Sequence, residues 1–421
     1  MFNRKTIYNL MLMMLVVTMT AACSSSATLV PTIPAPAATT LHTPTTPAAA
    51  ATSLPNPMAP ASAATATRTA PATASGTYAL PAQCYREGLP TYVDDQKGIC
   101  FAYPLGFTSG KNTQGRGDVL GPSISKEPEP LFASLRIEVK SAGDKELKVL
   151  VDEYLAQLID LPAKMERQPI TVSGEPAEVL DPVPGAIGSR VVLVKHLDRL
   201  YTLLFWPSFR DVPPEKQNAE MKQAQKDVDA LYEIVTASLG LMPVLPLSSQ
   251  AGKPEVNNLE LPVSCVVPGQ ALYVNTNDNY CFAFPGRFTM MREATGQPGL
   301  YGPALDQSPD PVRVTMGLVV EVAAKDRALD QIAGDMLAEY GKMNIPPVKS
   351  SSITLAGQPA ILMEGVPGRG MSRDVLMLHS GTLFHFIFQP DVQAPDKAAP
   401  DLEAVYKAVI SSFSLMQPSK S

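Results

Sequence analysis

Side chains able to do chemistry are scarce in this sequence, with four histidines and five cysteines in 421 residues. His42 lies in a biased tract far from any apolar segment, which leaves three histidines. His196 and His379 occupy matching places, each at the end of an apolar run beside a turn, and Arg190 and Arg373 precede them by six residues on the same strand face. Read for function, each Arg/His pair makes the polar corner of an anion or carboxylate site. Read for structure, the Arg pairs with a sheet neighbour, Glu138 and its counterpart Glu321, while the His caps the turn. The structural reading is the stronger, because six strand residues hold the two side chains roughly 20 Å apart. His385 faces Thr202 in the other half, so it belongs to no duplicated site. Asp94-Asp95 and Asp152-Glu153 have no matching acidic pair in the second copy and read as solvated faces, and Trp206 at a strand end reads as core or rim. There is no His-Glu-x-x-His, no Gly-x-x-x-x-Gly-Lys, no Gly-x-Ser-x-Gly and no zinc spacing. The sequence therefore assigns no catalytic residue, no cofactor and no metal.

Cys84 and Cys100 are 16 apart, and so are Cys265 and Cys281. Three connectivities are open to these four, and the equal spacing favours Cys84 with Cys100 and Cys265 with Cys281. Each bridge closes a loop of about 15 residues and stabilises by about 3 kcal/mol on the chain-entropy view. Redox-active free thiols are the competing reading. Neither pair is Cys-x-x-Cys and neither cysteine has a histidine beside it in sequence, so crosslinks in an oxidising compartment fit better.

These cysteines belong to a repeat. Cys100-Phe101-Ala102-Tyr103-Pro104 matches Cys281-Phe282-Ala283-Phe284-Pro285 at an offset of 181, as do Tyr92-Val93 and Tyr273-Val274. Phe107-Thr108 and Gly121-Pro122 recur as Phe288-Thr289 and Gly302-Pro303. Farther on the offset is 183, with Ile170-Thr171, Gly174, Pro176 and Ala177 recurring as Ile353-Thr354, Gly357, Pro359 and Ala360, and Val183-Pro184-Gly185 as Val366-Pro367-Gly368. So many matches in one order make the chain two copies of one unit. The division is 1–22 leader, 23–80 tether, 81–242 first copy, 243–264 linker, 265–416 second copy and 417–421 tail. About 155 residues is enough for each copy to bury a core and fold alone.

Each copy mixes helix and strand. Leu147, Leu150, Val151, Tyr154, Leu155 and Leu158 keep helical spacing, repeated by Leu329, Ile332, Ala333, Met336, Leu337 and Tyr340. A second helix follows from Val228, Leu231, Tyr232, Val235 and Leu239, with counterparts Leu402, Val405, Tyr406, Val409 and Phe413. Between them, Arg190 to His196 with Leu200 to Trp206, and Arg373 to His379 with Thr382 to Phe388, read as hairpins apolar on both faces. Such a hairpin belongs near the centre of a sheet covered by helices, and Ser380-Gly381 reads as its tight turn.

Arg4 and Lys5 followed by the apolar stretch Ile7 to Met19 have the layout of a secretory signal. Thirteen helical residues rise about 20 Å against a hydrocarbon core of about 30 Å, which disfavours a permanent span. Thr20-Ala21-Ala22-Cys23 resembles a bacterial lipobox, whose cysteine is acylated and becomes the mature N-terminus. Thr20 stands where that motif usually has Leu. From Ser24 to Leu80 the chain holds 17 Ala, 13 Thr, 9 Pro and 6 Ser with Arg68 its one formal charge. Such a tract cannot offset the entropy of ordering and reads as a disordered stalk suited to O-glycosylation. The expected location is a cell membrane, lipid-anchored through a palmitate-type acyl group on Cys23, with the globular part outside the cytoplasm. A net charge of −6 with 18% charged residues leaves no basic field to gather nucleic acid.

An aromatic-x-x-Pro strand, an amphipathic helix, a Gly-x-Pro-Ala step, an aromatic hairpin and a final helix ending in Ser411-Ser412-Phe413-Ser414 together resemble the PsbP-like family. The resemblance covers both copies and implies an α+β fold: two tandem α/β/α sandwiches, each a mainly antiparallel sheet covered by helices. The founding members are extrinsic subunits of the photosynthetic oxygen-evolving complex. The anchor, the duplication and the cysteine pairs depart from that pattern, and the resemblance implies a non-enzymatic binding or scaffold module, by analogy of fold. Three function classes follow. The first is an anchored scaffold contacting another envelope protein, with two copies raising avidity. The second is a solute-binding lipoprotein of a transporter, and the third an envelope hydrolase.

Overall fold

The computed structural model describes residues 77–110, 118–125, 130–158, 165–185, 187–242, 258–293, 297–306, 308, 311–322, 327–343, 346–368, 371–391 and 397–417. The leader, Cys23 and the tether as far as residue 76 lie outside the described residues, as do 243–257 of the linker and 418–421 of the tail.

The first copy runs β1 (Thr77–Pro81), β2 (Thr91–Asp94), β3 (Ile99–Ala102), β4 (Thr108–Ser109), β5 (Val119–Leu120), β6 (Ser134–Ser141), α1 (Leu147–Leu155), β7 (Glu166–Val172), β8 (Glu175–Val183), β9 (Gly188–His196), β10 (Arg199–Ser208), α2 (Ala219–Ser238) and β11 (Gly240–Leu241). The second repeats that order as β12 (Asn258–Pro262), β13 (Gln270–Asn275), β14 (Tyr280–Pro285), β15 (Thr289–Arg292), β16 (Pro298–Tyr301), β17 (Thr315–Val322), α3 (Leu329–Gly341), β18 (Lys349–Leu355), β19 (Gln358–Val366), β20 (Ser372–His379), β21 (Thr382–Gln389), α4 (Ala399–Ser412) and β22 (Ser414–Leu415). β1 and β12 occupy stretches that the sequence reading gave to the tether and the linker.

Two seven-stranded antiparallel sheets share one order, β4-β5-β6-β10-β9-β8-β7 and β15-β16-β17-β21-β20-β19-β18. The protein is α+β, with antiparallel sheets and few helices. The expected hairpins lie in the interior of each sheet, where strands apolar on both faces belong. Ser380 (φ 49°) and Gly381 (φ 80°) form the two-residue turn between His379 and Thr382, the mirror-image geometry that matches strand twist. Side-chain alternation then divides the core. Val191 and Leu193 join Leu150 and Val151 of α1 in one cluster, whereas Val192 and Val194 join Val228, Leu231 and Val235 of α2 in another. Leu376 with Ile332, and Val375 with Val405, divide in the same way in the second copy. Asn218 starts α2 by accepting from the Met221 amide at 2.8 Å, an N-cap that satisfies an otherwise orphaned donor. At the far end of that helix the Ala102 amide donates to Ser238 Oγ at 3.0 Å, and Ala283 donates to Ser412 Oγ at 2.8 Å in the second copy. Each closing helix is thereby tied to β3 or β14.

The copies are not separate bodies. β11-β3-β2 from the first and β13-β14-β22 from the second form one six-stranded sheet, joined where Thr91 of β2 faces Leu272 of β13. β1 pairs with β12 over five residues, from Thr77 opposite Pro262 to Pro81 opposite Asn258. Loop backbones add to the seam, with the Ser109 amide donating to Gly286 O at 2.8 Å and Gly106 to Met290 O at 3.0 Å. One apolar cluster carries Phe101 and Phe205 together with Phe282, Phe288 and Phe386. The disulfides pair as the spacing favours, Cys84 with Cys100 and Cys265 with Cys281. All four sulfurs lie in one buried cluster with Leu80, Met242, Leu261, Leu272 and Val274. The expectation of two self-contained cores therefore gives way to a shared one, since a short half-sheet in each copy leaves an edge that the other copy covers.

Gly286 tests the seam, because a Cβ there would meet the Ser109 carbonyl oxygen at 2.2 Å. Gly286→Ala should destabilise the chain by about 1 to 3 kcal/mol, read by denaturant unfolding. Gly317→Ala, in a strand with nothing within 4 Å of the added carbon, should leave stability unchanged or raise it. Equal effects at the two sites would contradict the close fit of the seam.

Candidate functional site

The two arginines singled out by sequence sit in matched settings. Arg190 of β9 is buried and places Nε 2.7 Å from Asp181 Oδ2 on β8 and Nη2 2.9 Å from Asp229 Oδ1 on α2. Its guanidinium carbon stands 4.3 Å from the centre of the Tyr232 ring. Asp181 also accepts from Ser208 Oγ at 2.7 Å and from Arg210 Nε at 3.1 Å. In the second copy Arg373 reaches Glu403 at 2.9 Å and Asp391 at 3.3 Å, lies 3.9 Å from Glu364, and stands 4.6 Å from the centre of the Tyr406 ring. Asp181 and Glu364, Asp229 and Glu403, and Tyr232 and Tyr406 are counterparts. A strand acid, a strand arginine, a helix acid and a helix tyrosine thus recur as a clamp between sheet and closing helix. Burial pushes the Tyr232 hydroxyl above its ordinary value, against the opposing pull of Arg190.

Neither arginine pairs with the expected sheet acid. Glu138 instead meets Arg136 at 2.9 Å and Lys140 at 3.7 Å. The reason is parity. Glu138 registers with Thr202, and Thr202 with Leu193, which puts it on the α1 face, while Arg190 shares the α2 face with Val192 and Val194. Glu321 registers with Leu383, and Leu383 with Leu378, on the face away from Arg373. His196 is not drawn to the arginine either. Its Nδ1 lies 2.8 Å from Glu175 Oε1 across the β8–β9 pair. The second copy has Gln358 where Glu175 stands, so His379 does not inherit that ion pair. The Arg/His corners, the weaker of the two readings of the sequence, do not assemble into a joint site, and the stronger reading errs in the acids it chose.

Asp94 departs from a solvated face as well. It is half-buried, accepts from Tyr92 Oη at 3.0 Å, and lies 3.6 Å from Lys97, which also reaches Asp118 at 2.5 Å. Asp95 accepts from Tyr78 Oη at 2.5 Å at the surface. Asp152 and Glu153 are exposed and pair with Arg167 at 3.1 Å and Lys145 at 2.7 Å. Trp206 meets Phe132 edge-on at 5.7 Å between ring centres.

The sequence reading missed a buried polar group in the second copy. Asp374 of β20 is 2% exposed, accepts from Ser372 Oγ at 2.6 Å, and lies 2.7 Å from His385 Nε2 on β21. Tyr340 of α3 is pushed up first by burial and then by the charge of Asp374. Serine, histidine and aspartate are the types of an acyl-transfer triad, but the acid sits in the middle. Activation of a serine needs the histidine between hydroxyl and carboxylate, and here the Ser372 proton is already given to Asp374. The arrangement is a hydrogen-bonded link between neighbouring strands. Its signal in the sequence was one acid immediately before the apolar run Val375 to Leu378, at the position of Val191 in the first copy.

That difference between copies supplies a test. Asp374→Val alone should cost about 1 to 3 kcal/mol, because it leaves the half-buried His385 and the Ser372 hydroxyl without their acid. Adding His385→Thr, which restores the first copy's Thr202, should recover much of the loss in a double-mutant cycle. Losses that simply add would mean that the two side chains are not coupled.

No protein-family model matches this chain, and no curated protein matches it. Among solved structures, the chain is similar to the cyanobacterial PsbP (CyanoP) from Synechocystis sp. PCC 6803, at 14% identity and a TM-score of 0.26, over 40% of this chain and 99% of that one. It is also similar to a protein from Bacteroides thetaiotaomicron VPI-5482, at 11% identity and a TM-score of 0.20, over 35% of this chain and 49% of that one.

Proposed function

We propose that the chain is a lipoprotein anchored through Cys23 to the outside of a cell membrane, carrying two PsbP-like α/β/α copies as a non-catalytic scaffold that contacts another envelope protein. The observation that carries this reading is the seam. Capture of a solute between two lobes works by hinge closure, and a strand pair, a common sheet and loop hydrogen bonds across the seam oppose any hinge between the copies. A stiff body with two equivalent halves suits contact with an extended or repeated protein surface, where engaging both halves adds avidity. The two disulfides support an oxidising compartment. The duplicated arginines support a non-catalytic role, because each is committed to its own acids and ring rather than turned toward a ligand.

Two measurements test the reading. Cys23→Ala should move the protein out of washed membranes, and its retention there would remove the anchor. Residues 77–421, kept together as one piece, should capture a protein from solubilised envelopes that survives salt washing. A parallel thermal-shift screen of small solutes should leave Tm unchanged. A solute that raised Tm by several degrees while no protein was captured would replace the scaffold with solute binding.

A further inference from the structure

The seam has internal symmetry. Thr91 and Leu272, which face each other across β2 and β13, are counterparts at the repeat offset of 181. Ala79 and Glu260, at the centre of the β1–β12 pair, are counterparts at the same offset. The pairing of Leu80 with Leu259 has its image in the pairing of Tyr78 with Leu261, and Thr77–Pro262 has its image in Pro81–Asn258. Antiparallel pairing of equivalent residues is the mark of an isologous interface, the kind that joins two identical chains about a two-fold axis.

The symmetry is broken by side chains. Glu87 of the first copy accepts from Thr276 Oγ1 at 2.9 Å and from Asn277 Nδ2 at 3.1 Å in the second. The first copy's residues at those places are Asp95 and Gln96. A first copy facing another first copy would therefore bring Glu87 against Asp95, and like charges opposite one another disfavour that pair. Arg292 adds to the asymmetry, since its guanidinium fills the space beside Gly88 where a Cβ would sit 2.0 Å away.

The connection between the copies has more residues than the gap it bridges requires. A Cβ on Gly240 of β11 would lie 3.2 Å from Pro81, and Pro81 pairs with Asn258. The chain thus leaves the first copy and enters the second on the order of 10 Å apart, two strand spacings, while residues 243–257 between them could extend to about 50 Å. Nothing in the pairing itself requires both copies to come from one molecule.

We infer that the seam is a dimer interface carried within one polypeptide, and that the partner it fits is the opposite copy of a second molecule of this protein, so that chains can exchange copies. The length of the connection favours closure within a chain, and that length alone sets the balance. Deleting residues 243–257 from the full chain leaves three residue steps from Gly240 to Asn258, a reach of about 11 Å. That reach meets the gap only if Leu241 leaves β11 and the Met242 amide gives up Gly98 O, so closure within one chain with β1 and β12 paired is strongly disfavoured. Light scattering should then give twice the chain mass, and a folded particle of single mass would overturn the proposal. Should the deleted chain fail to fold, an undeleted chain with a protease site between Pro246 and Pro254 gives a second reading. Two differently tagged preparations are cleaved, mixed and carried through reversible unfolding. Expected are pairs of mixed origin at about half of the total, always a first copy with a second. Halves that separate, pairs that never mix, or first copies paired with each other would each overturn it.

Discussion

The rest of the molecule depends on the meeting of two strand edges. β2 of the first copy and β13 of the second each end a half-sheet that is too small to cover its own side, and their pairing turns two exposed edges into the middle of one sheet. The registered contact is short, a single residue pair, so it draws on the β1–β12 ribbon and on the loop bonds at Gly106 and Ser109. The buried disulfides stand in the same cluster and fix the segments that feed those strands. Closing helices α2 and α4 carry the seam outward, since each packs its apolar face against a large sheet and ties its last turn to β3 or β14 through a serine.

Polar chemistry in the interior serves the same end. Each copy fastens helix to sheet with an arginine, buried in the first copy and half-buried in the second, held by acids and covered by a tyrosine ring. A guanidinium taken out of water needs acids beside it, and both arginines have them, although Arg373 Nε, 3.9 Å from Glu364, makes no hydrogen bond. The copies have diverged around that core. Ser208 of the first is Asp391 in the second, which also accepts from the Gly365 amide at 3.1 Å, and Val191 has become Asp374 with His385 as its neighbour. Duplication kept the clamp and altered its surroundings.

What was legible in the sequence was whatever repeats at a short, regular period. The helices around Leu150 and Leu231, the hairpins ending at His196 and His379, and the two cysteine pairs all follow from spacing, and the structure holds them where that spacing puts them. What spacing could not show was which copy each edge strand pairs with. Thr77 to Pro81 and Asn258 to Pro262 are five residues each in Pro-containing surroundings, and their partner is nearly 180 residues away, so no local pattern marks them as strands. Partner choice failed for a related reason. Glu138 and Arg190 lie on strands separated by β10, three residues out of register, and face opposite ways; register of that kind is not displayed by the sequence. Asp374 was missed because a single acid at the head of an apolar run has no period at all.

Whether the copies share one core can be read directly from their unfolding. Trp206, the one tryptophan, reports the first copy by fluorescence, and amide exchange from Val375 to Phe388 reports the sheet of the second. Measured on the same protein through a urea titration, the two probes should give one midpoint and one free energy of unfolding, because opening either copy exposes the seam of the other. Two separated transitions, with the second copy's amides still protected after Trp206 has become solvent-exposed, would contradict the shared core.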